Sequence, residues 1–326
     1  MKITFSTRAR RAIVGGLAAA LALAGCSSAA DSADGSDGPA AGVRVIEIQG
    51  ASYEIPAEPQ RLVGVHNASI QPILEAGGTL VAAAQYPESI IAPGNRAAYA
   101  AIPEKFDVTD GVNTEQVLTF SPDLVLAIDR NTPEELAHLE AAGPLAIFKV
   151  DGEARSDWRG RVAGAGEILG TSDKVDALEK KYQDRAAQIK SEYAAELAAN
   201  KIVVISSWDN TGFTAYGPDS MAGRIFTDAG ATFIDAVQDD SGEKSPGEFI
   251  GAFENLGDVT DAGIVLVGSN FEGEYDEFQR TLVESPLLSA NAKVVAPVGL
   301  TTVSGYSQAF YMLDQFEAAL QQTRGA

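Results

Sequence analysis

Short runs of β-branched and aliphatic residues alternate with segments of helical period along most of this chain, which predicts an α/β fold. Arg61-Leu62-Val63-Gly64-Val65 reads as a strand, residues 69–75 as a helix stopped by Gly77-Gly78, and residues 79–84 as the next strand. A helix at 114–120, a strand at 123–128 behind Pro122, a helix at 133–142 and a strand at 146–150 complete the first half. The second half repeats the order, with strand 201–206, a helix at 220–229 ended by Gly230, helix 253–258, strand 263–267, helix 277–283 and strand 292–295. The most regular period lies between the halves. Val175, Leu178, Tyr182, Ala186, Ile189, Tyr193 and Leu197 recur at spacings of three and four. Asp173 at the start of this segment suits the helix dipole and Asn200 suits a cap at its end. A helix of about 25 residues is a rod on the order of 37 Å long.

Two local likenesses suggest that the halves are related. Ile73-Leu74-Glu75-Ala76-Gly77-Gly78 parallels Ile225-Phe226-Thr227-Asp228-Ala229-Gly230. Glu115, nine residues ahead of Leu124, parallels Glu254, nine residues ahead of Gly263. Two generic α/β units would share the first of these by coincidence, so duplication and coincidence both stand at this point.

The first forty residues bear on address rather than fold. Lys2, Arg8, Arg10 and Arg11 precede an apolar run at 12–23 that is too short to span a bilayer. Leu23-Ala24-Gly25-Cys26 resembles a bacterial lipobox. That resemblance implies a lipoprotein signal peptide at 1–25 and acylation of the Cys26 thiol. Residues 26–43, mostly Ser, Ala, Asp and Gly up to Gly42, then read as a flexible tether. The implied address is the cell membrane, anchored by lipid alone on the extracytoplasmic face. An ordinary secretory signal with an incidental cysteine is the competing reading. Cys26 is the only cysteine, which excludes a disulfide framework and a cysteine metal site.

The chain carries 45 acidic against 24 basic residues, a net charge of −21, and four of the basic residues fall in the leader. Such a balance excludes nucleic-acid binding and a polybasic membrane-surface role.

Asn113-Thr114-Glu115-Gln116-Val117-Leu118, followed by Ser121-Pro122-Asp123-Leu124-Val125-Leu126, closely resembles a block of the substrate-binding proteins of iron-siderophore and cobalamin ABC importers. The strand at 61–65 with Gly77-Gly78, the stretch Gly166-Glu167-Ile168-Leu169-Gly170, and residues 287–295 add weaker likenesses to the same family. The resemblance implies a class III, chelatase-like solute-binding protein. Its two Rossmann-like lobes, at 44–168 and 200–326, would be joined by a single long linking helix within 169–199. It implies a monomer that captures a ferric siderophore between the lobes and docks on an ABC permease dimer. Docking in that family uses one surface glutamate per lobe, which falls here on Glu115 and Glu254. Gly257 departs from the family pattern inside the second predicted helix. For both acids the alternative is simple complementation of a helix dipole.

In open α/β lobes, ligands sit beyond the carboxyl ends of the strands. That selects His66, Asn67 and Ser69, then Gln85 and Tyr86, then Asp129 and Arg130 in the first half. In the second it selects Trp208, Asp209, Asn210, Phe213 and Tyr216, then Asn270 and Phe271, then Thr301, Thr302 and Tyr306. The aromatic residues would wall a bulky chelate, and Arg130 would offer a fork to oxygen-rich ligands. Trp208 and Tyr216 read as members of a polar, glycine-containing loop, with core packing as the alternative. Asp129 and Glu134 compete for Arg130.

Two histidines are too few for a bare zinc or manganese site. Haem, through Tyr86, His66 or Tyr216 as axial ligand, and cobalamin stay open as alternative cargo. The scarcity of basic residues favours a hydroxamate-type or neutral chelate over a catecholate. There is no glycine-rich phosphate loop, nucleophile elbow or cysteine nucleophile, so neither a catalytic residue, a cofactor nor enzymatic activity is expected. A surface sensor or adhesin that kept the binding fold is the alternative from another class.

Overall fold

Residues 42–209, 211–238, 245–259 and 261–325 are described by a computed structural model. The leader, Cys26, most of the tether and Asn210 lie outside the described residues. Two strands, β1 (Val43–Ile48) and β2 (Ala51–Pro56), form an antiparallel hairpin in register from Val43↔Pro56 to Ile48↔Ala51. Ile46, Ile48 and Ile55 face inward with the two-residue period of a half-buried ribbon.

The first lobe follows as β3 (Leu62–Gly64), α1 (Asn67–Glu75), β4 (Ala82–Ala84), α2 (Arg96–Ala100), β5 (Glu104–Phe106), α3 (Thr114–Thr119), β6 (Leu124–Ile128), α4 (Pro133–Ala142) and β7 (Leu145–Phe148). Its five strands are all parallel, in the order β5-β4-β3-β6-β7. Every residue of β6 is buried, as a parallel strand covered on both faces requires. Chain order reverses between β3 and β6, so their carboxyl ends flank the crevice of this lobe.

Three helices lead to the second lobe: α5 (Trp158–Leu169), α6 (Ser172–Glu192) and α7 (Ala194–Ala199). The rod anticipated from periodicity is interrupted at Tyr193, whose φ of −111° and ψ of 26° leave the helical region. The 21 residues of α6 span about 31 Å. Val175, Tyr182, Ala186 and Ile189 form its buried stripe, Asp173 lies in its first turn, and Asn200 Nδ2 closes α7 by donating to the Glu196 carbonyl at 2.7 Å.

The second lobe contains β8 (Lys201–Ser206), β9 (Gly212–Tyr216), α8 (Met221–Asp228), β10 (Thr232–Phe233), β11 (Glu248–Ala252), β12 (Ile264–Val267), α9 (Glu277–Val283), α10 (Pro286–Asn291), β13 (Val294–Pro297) and α11 (Tyr306–Thr323). The sheet runs β11-β9-β8-β12-β13, with β10 beside the start of β8. β9 is antiparallel to both β8 and β11. Phe213 and Tyr216 therefore belong to a strand, where the sequence suggested a loop. Residues Phe253–Val259, expected as an α-helix, form a 3₁₀ helix.

The two lobes end their matching helices in the same way. After α1, Gly77 has φ 86° and Gly78 N–H donates to the Ile73 carbonyl at 2.9 Å. After α8, Gly230 has φ 87° and Ala231 N–H donates to the Phe226 carbonyl at 2.9 Å. Both turns abut α6: a Cβ on Gly77 would lie 2.7 Å from Lys174 Nζ, and one on Gly230 would lie 2.8 Å from Lys190 Cγ. The positive φ favours glycine at both turns. The linking helix thus rests one end on each lobe.

Candidate ligand cleft

A cavity of about 370 Å³ opens between the lobes. The second lobe supplies most of its wall, from the ends of β8 and β12 and the loop leading into α9. The first lobe contributes Ser89 and Ile90, from the segment between β4 and α2.

Trp208 is the prominent feature of this wall. It follows β8 and is 53% exposed, unusual for so large an apolar ring. Its indole N–H donates to Tyr216 Oη at 3.3 Å, and Thr301 Oγ1 donates to the same oxygen at 2.9 Å. Tyr216 itself is buried, and that burial pushes its hydroxyl up to about 12. It is the post that orients Trp208 rather than part of the open wall. Phe213 is also buried, with its ring against Gly251 on β11; it lies with Trp208 along a second depression. Asn270 lines the main cavity and organises its rim. Its Oδ1 accepts from the N–H groups of Glu272 (3.0 Å) and Glu274 (2.7 Å), and its Nδ2 donates to Glu274 at 3.0 Å. The neighbouring Phe271 turns inward, edge-on to Tyr311 with ring centroids 5.2 Å apart.

In the first lobe, His66 is the N-cap of α1, its Nδ1 accepting from Ala68 N–H at 3.0 Å. That bond needs a neutral ring. Burial, then the charges of Arg130 and Arg161, lowers the imidazole pKa to about 4. Tyr86 stands edge-on to His66 at 6.2 Å, and Asn67 accepts from Gln71 at 3.1 Å. These three make one polar corner at the strand ends, and none of them lines the cavity above. Arg130 pairs with Asp151 at 3.2 Å, not with Asp129 or Glu134. Asp129 is engaged elsewhere, accepting from Val150 N–H at 2.9 Å.

Tyr306 lies away from the cleft wall. It is buried in the joint under α6, its hydroxyl donating to Glu179 at 2.7 Å and its ring packing edge-on against Trp158 at 5.1 Å. Several other groups cross this joint. The carboxylate of Glu75 accepts from Tyr306 N–H (2.6 Å), Ser307 N–H (2.9 Å) and Asn95 Nδ2 (3.1 Å). Burial pushes its carboxyl up, and the hydrogen bonds oppose that shift. Arg161, buried, donates to the Lys149 carbonyl in one lobe and the Val303 carbonyl in the other, and burial draws its pKa down to about 10. Arg155 grips Glu248 at 2.6 Å, and Arg96 reaches Glu272 at 2.6 Å.

Glu115 is exposed in the first turn of α3, and Glu254 is exposed in the 3₁₀ helix of the second lobe. Each has an exposed aliphatic neighbour: Leu118 (49%) three residues on, and Ile250 (89%) four residues before.

The model of the periplasmic binding protein family matches residues 84–293. This chain belongs to the periplasmic binding protein family. The two lobes bridged by α6 are its solute-binding fold, and several solved structures share it. A siderophore periplasmic binding protein from the fuscachelin gene cluster of Thermobifida fusca is 22% identical with a TM-score of 0.66, over 81% of this chain and 98% of that one. The Fe3+–Desferal-bound siderophore binding protein FhuD of Vibrio cholerae is 15% identical with a TM-score of 0.66, over 80% and 97%. The iron uptake ABC transporter substrate-binding protein PiaA of Streptococcus pneumoniae is 17% identical with a TM-score of 0.62, over 87% and 100%. No curated protein matches the sequence. Among the described residues of this periplasmic binding protein, no helix is long and apolar enough to cross a membrane. No group of three or more His, Cys, Asp or Glu among them is placed to hold a metal ion.

After the strands at 79–84 and 263–267 the sequence selects only Gln85 and Tyr86, and Asn270 and Phe271. It therefore missed Ser89 and Ile90, which lie beyond Tyr86, and Glu274, Tyr275, Asp276 and Gln279, which lie beyond Phe271. Following each strand-end loop to the next helix finds five of the six; Gln279 lies in the first turn of α9.

Proposed function

We propose that this protein is the extracytoplasmic solute-binding component of an ABC importer, capturing a ferric siderophore of hydroxamate type between its lobes. The reading is carried by the cavity at the strand ends, open to an exposed Trp208 and lined, among the described residues, by no lysine or arginine. Its volume, about 370 Å³, falls within the range of roughly 300–1,000 Å³ usual for small-molecule sites. A wall without cations suits a neutral or positively charged chelate and disfavours a catecholate, which carries several negative charges. The siderophore-binding proteins that share the fold support a ferric siderophore as cargo. The family is one of binding proteins, and the proposal requires no catalytic residue.

Delivery would use Glu115 and Glu254, one exposed carboxylate per lobe, against cationic groups on a permease dimer. The exposed Leu118 and Ile250 beside them would add apolar contact. Anchorage through a lipid on Cys26 would hold a monomer at the cell membrane.

Fluorescence titration tests the cargo. The chain has two tryptophans, and Trp158 is buried while Trp208 faces the cavity. Protein lacking residues 1–26 is expected to lose emission on adding a ferric hydroxamate. Trp208→Phe should abolish that response, and Trp158→Phe should keep it. Absence of quenching and of any thermal shift across a panel of ferric chelates would overturn the proposal.

A further inference from the structure

We infer that the second-lobe wall of the cleft is built to receive a cationic arm of the chelate, a protonated primary amine. The inference rests on the proposed function and goes further by specifying the cargo. Four observations carry it.

The charged side chains lining the cavity are Glu274 and Asp276, both acids. Among the described ion pairs, neither has a cationic partner. Asp276 caps α9, its Oδ1 accepting from the N–H groups of Phe278 (2.9 Å) and Gln279 (3.0 Å). Glu274 accepts from Asn270 Nδ2 at 3.0 Å, a neutral donor that leaves its charge uncompensated. The arginine of the neighbouring rim, Arg96, is held by Glu272 at 2.6 Å.

The second observation is an acceptor without a donor. Gln279 lines the cavity and is 6% exposed. Its Nε2 donates to the Ser207 carbonyl at 2.7 Å and to Ser206 Oγ at 3.2 Å. Those bonds fix which end of the amide is oxygen, and Oε1 has no partner. A buried acceptor without a protein donor is met by an ordered water or by a donor on the ligand.

The third is Trp208, whose exposed ring offers the negative face to which an ammonium is attracted. The fourth is the charge of the whole chain: a net charge of −21 attracts cations to the protein and repels anions.

A ferric trihydroxamate is neutral at its iron centre, since three hydroxamate anions balance the metal charge. An ammonium arm therefore makes the whole chelate a cation. Neutral relatives without that arm would leave the exposed carboxylate of Glu274 to solvent alone.

A matched pair of ligands tests this: ferrioxamine B, with its free ammonium, and its N-acetylated derivative, with the same iron centre and no charge. Affinities are read by Trp208 quenching. The ammonium form is expected to bind about fivefold tighter or better at low salt, and the gap should narrow as salt rises. In Glu274→Gln the preference is expected to fall below about twofold, with affinity for the acetylated form unchanged, which also shows that the variant is folded. Equal affinities, or tighter binding of the acetylated form, would overturn the inference and leave the proposed function standing. If neither ligand binds, the hydroxamate reading falls and this inference falls with it.

Discussion

The carboxylate of Glu75, at the end of α1 in the first lobe, accepts the backbone N–H of Tyr306, which opens α11 in the second, at 2.6 Å. A helix N-terminus normally takes its cap from the residue just before it. Here that residue is Gly305, where a Cβ would lie 2.3 Å from Glu75 Oε2, and the cap comes from the other lobe. Glu75→Ala removes the acceptor for two backbone N–H groups and for Asn95. The expected loss is about 2–3 kcal/mol in urea unfolding. Glu75→Gln keeps one acceptor oxygen and should lose less.

A different contact joins the 3₁₀ turn at Gly152–Ser156, ahead of α5, to β11. Arg155 holds Glu248 through two hydrogen bonds, of 2.6 and 3.1 Å, with both side chains largely buried. Arg155→Ala strands the Glu248 carboxylate and is expected to cost about 3–5 kcal/mol. Replacing both with methionine should restore most of that stability. Equal losses in the single and double variants would show that the two charges do not depend on each other.

Acid should loosen the His66 cap. The imidazole is held near 4 in the fold against about 6.5 in an unfolded chain. Between those values the unfolded chain binds the proton and the folded one does not, so stability rises with pH across that window and falls as pH drops through it. His66→Asn keeps a cap acceptor without a titrating group. Unfolding free energies at pH 7 and pH 5 should differ less in this variant than in the parent.

Docking and capture should separate. Glu115→Ala combined with Glu254→Ala is expected to leave chelate affinity within about twofold, because both acids lie on the surface away from the cavity wall. Uptake of radiolabelled ferric chelate by cells carrying the double variant should be lost. Normal uptake would remove both residues from the docking surface.

Much of the fold was legible because parallel strands are short, continuous and apolar. Leu124–Ile128 and Lys201–Ser206 announce themselves that way. The linking helix was legible from its buried stripe, although the break at Tyr193 left no mark on the periodicity. The antiparallel excursion of β9 and β11 was hidden, because Gly212, Gly217 and Asp209 carry turn chemistry around a strand of five residues. The site was legible only in outline. Strand ends can be found from pattern, but the direction of a side chain there cannot. Trp208 and Tyr216 look alike in sequence, yet one is open and the other buried, because Thr301, distant in the chain, holds the tyrosine hydroxyl. Tyr306 looked like a rim residue because nothing before it marks the start of α11. The cap that would mark it comes from Glu75.

That borrowed cap also sets an order of assembly. The ribosome makes Glu75 long before Tyr306, so until α11 emerges the first lobe carries a carboxylate whose two backbone partners do not yet exist. A nascent chain stopped short of α11 would keep that site hydrated and its joint unsealed. Closure of the joint is in this sense signalled by the arrival of α11, and a product lacking that helix should betray itself to proteases at the seam between the lobes.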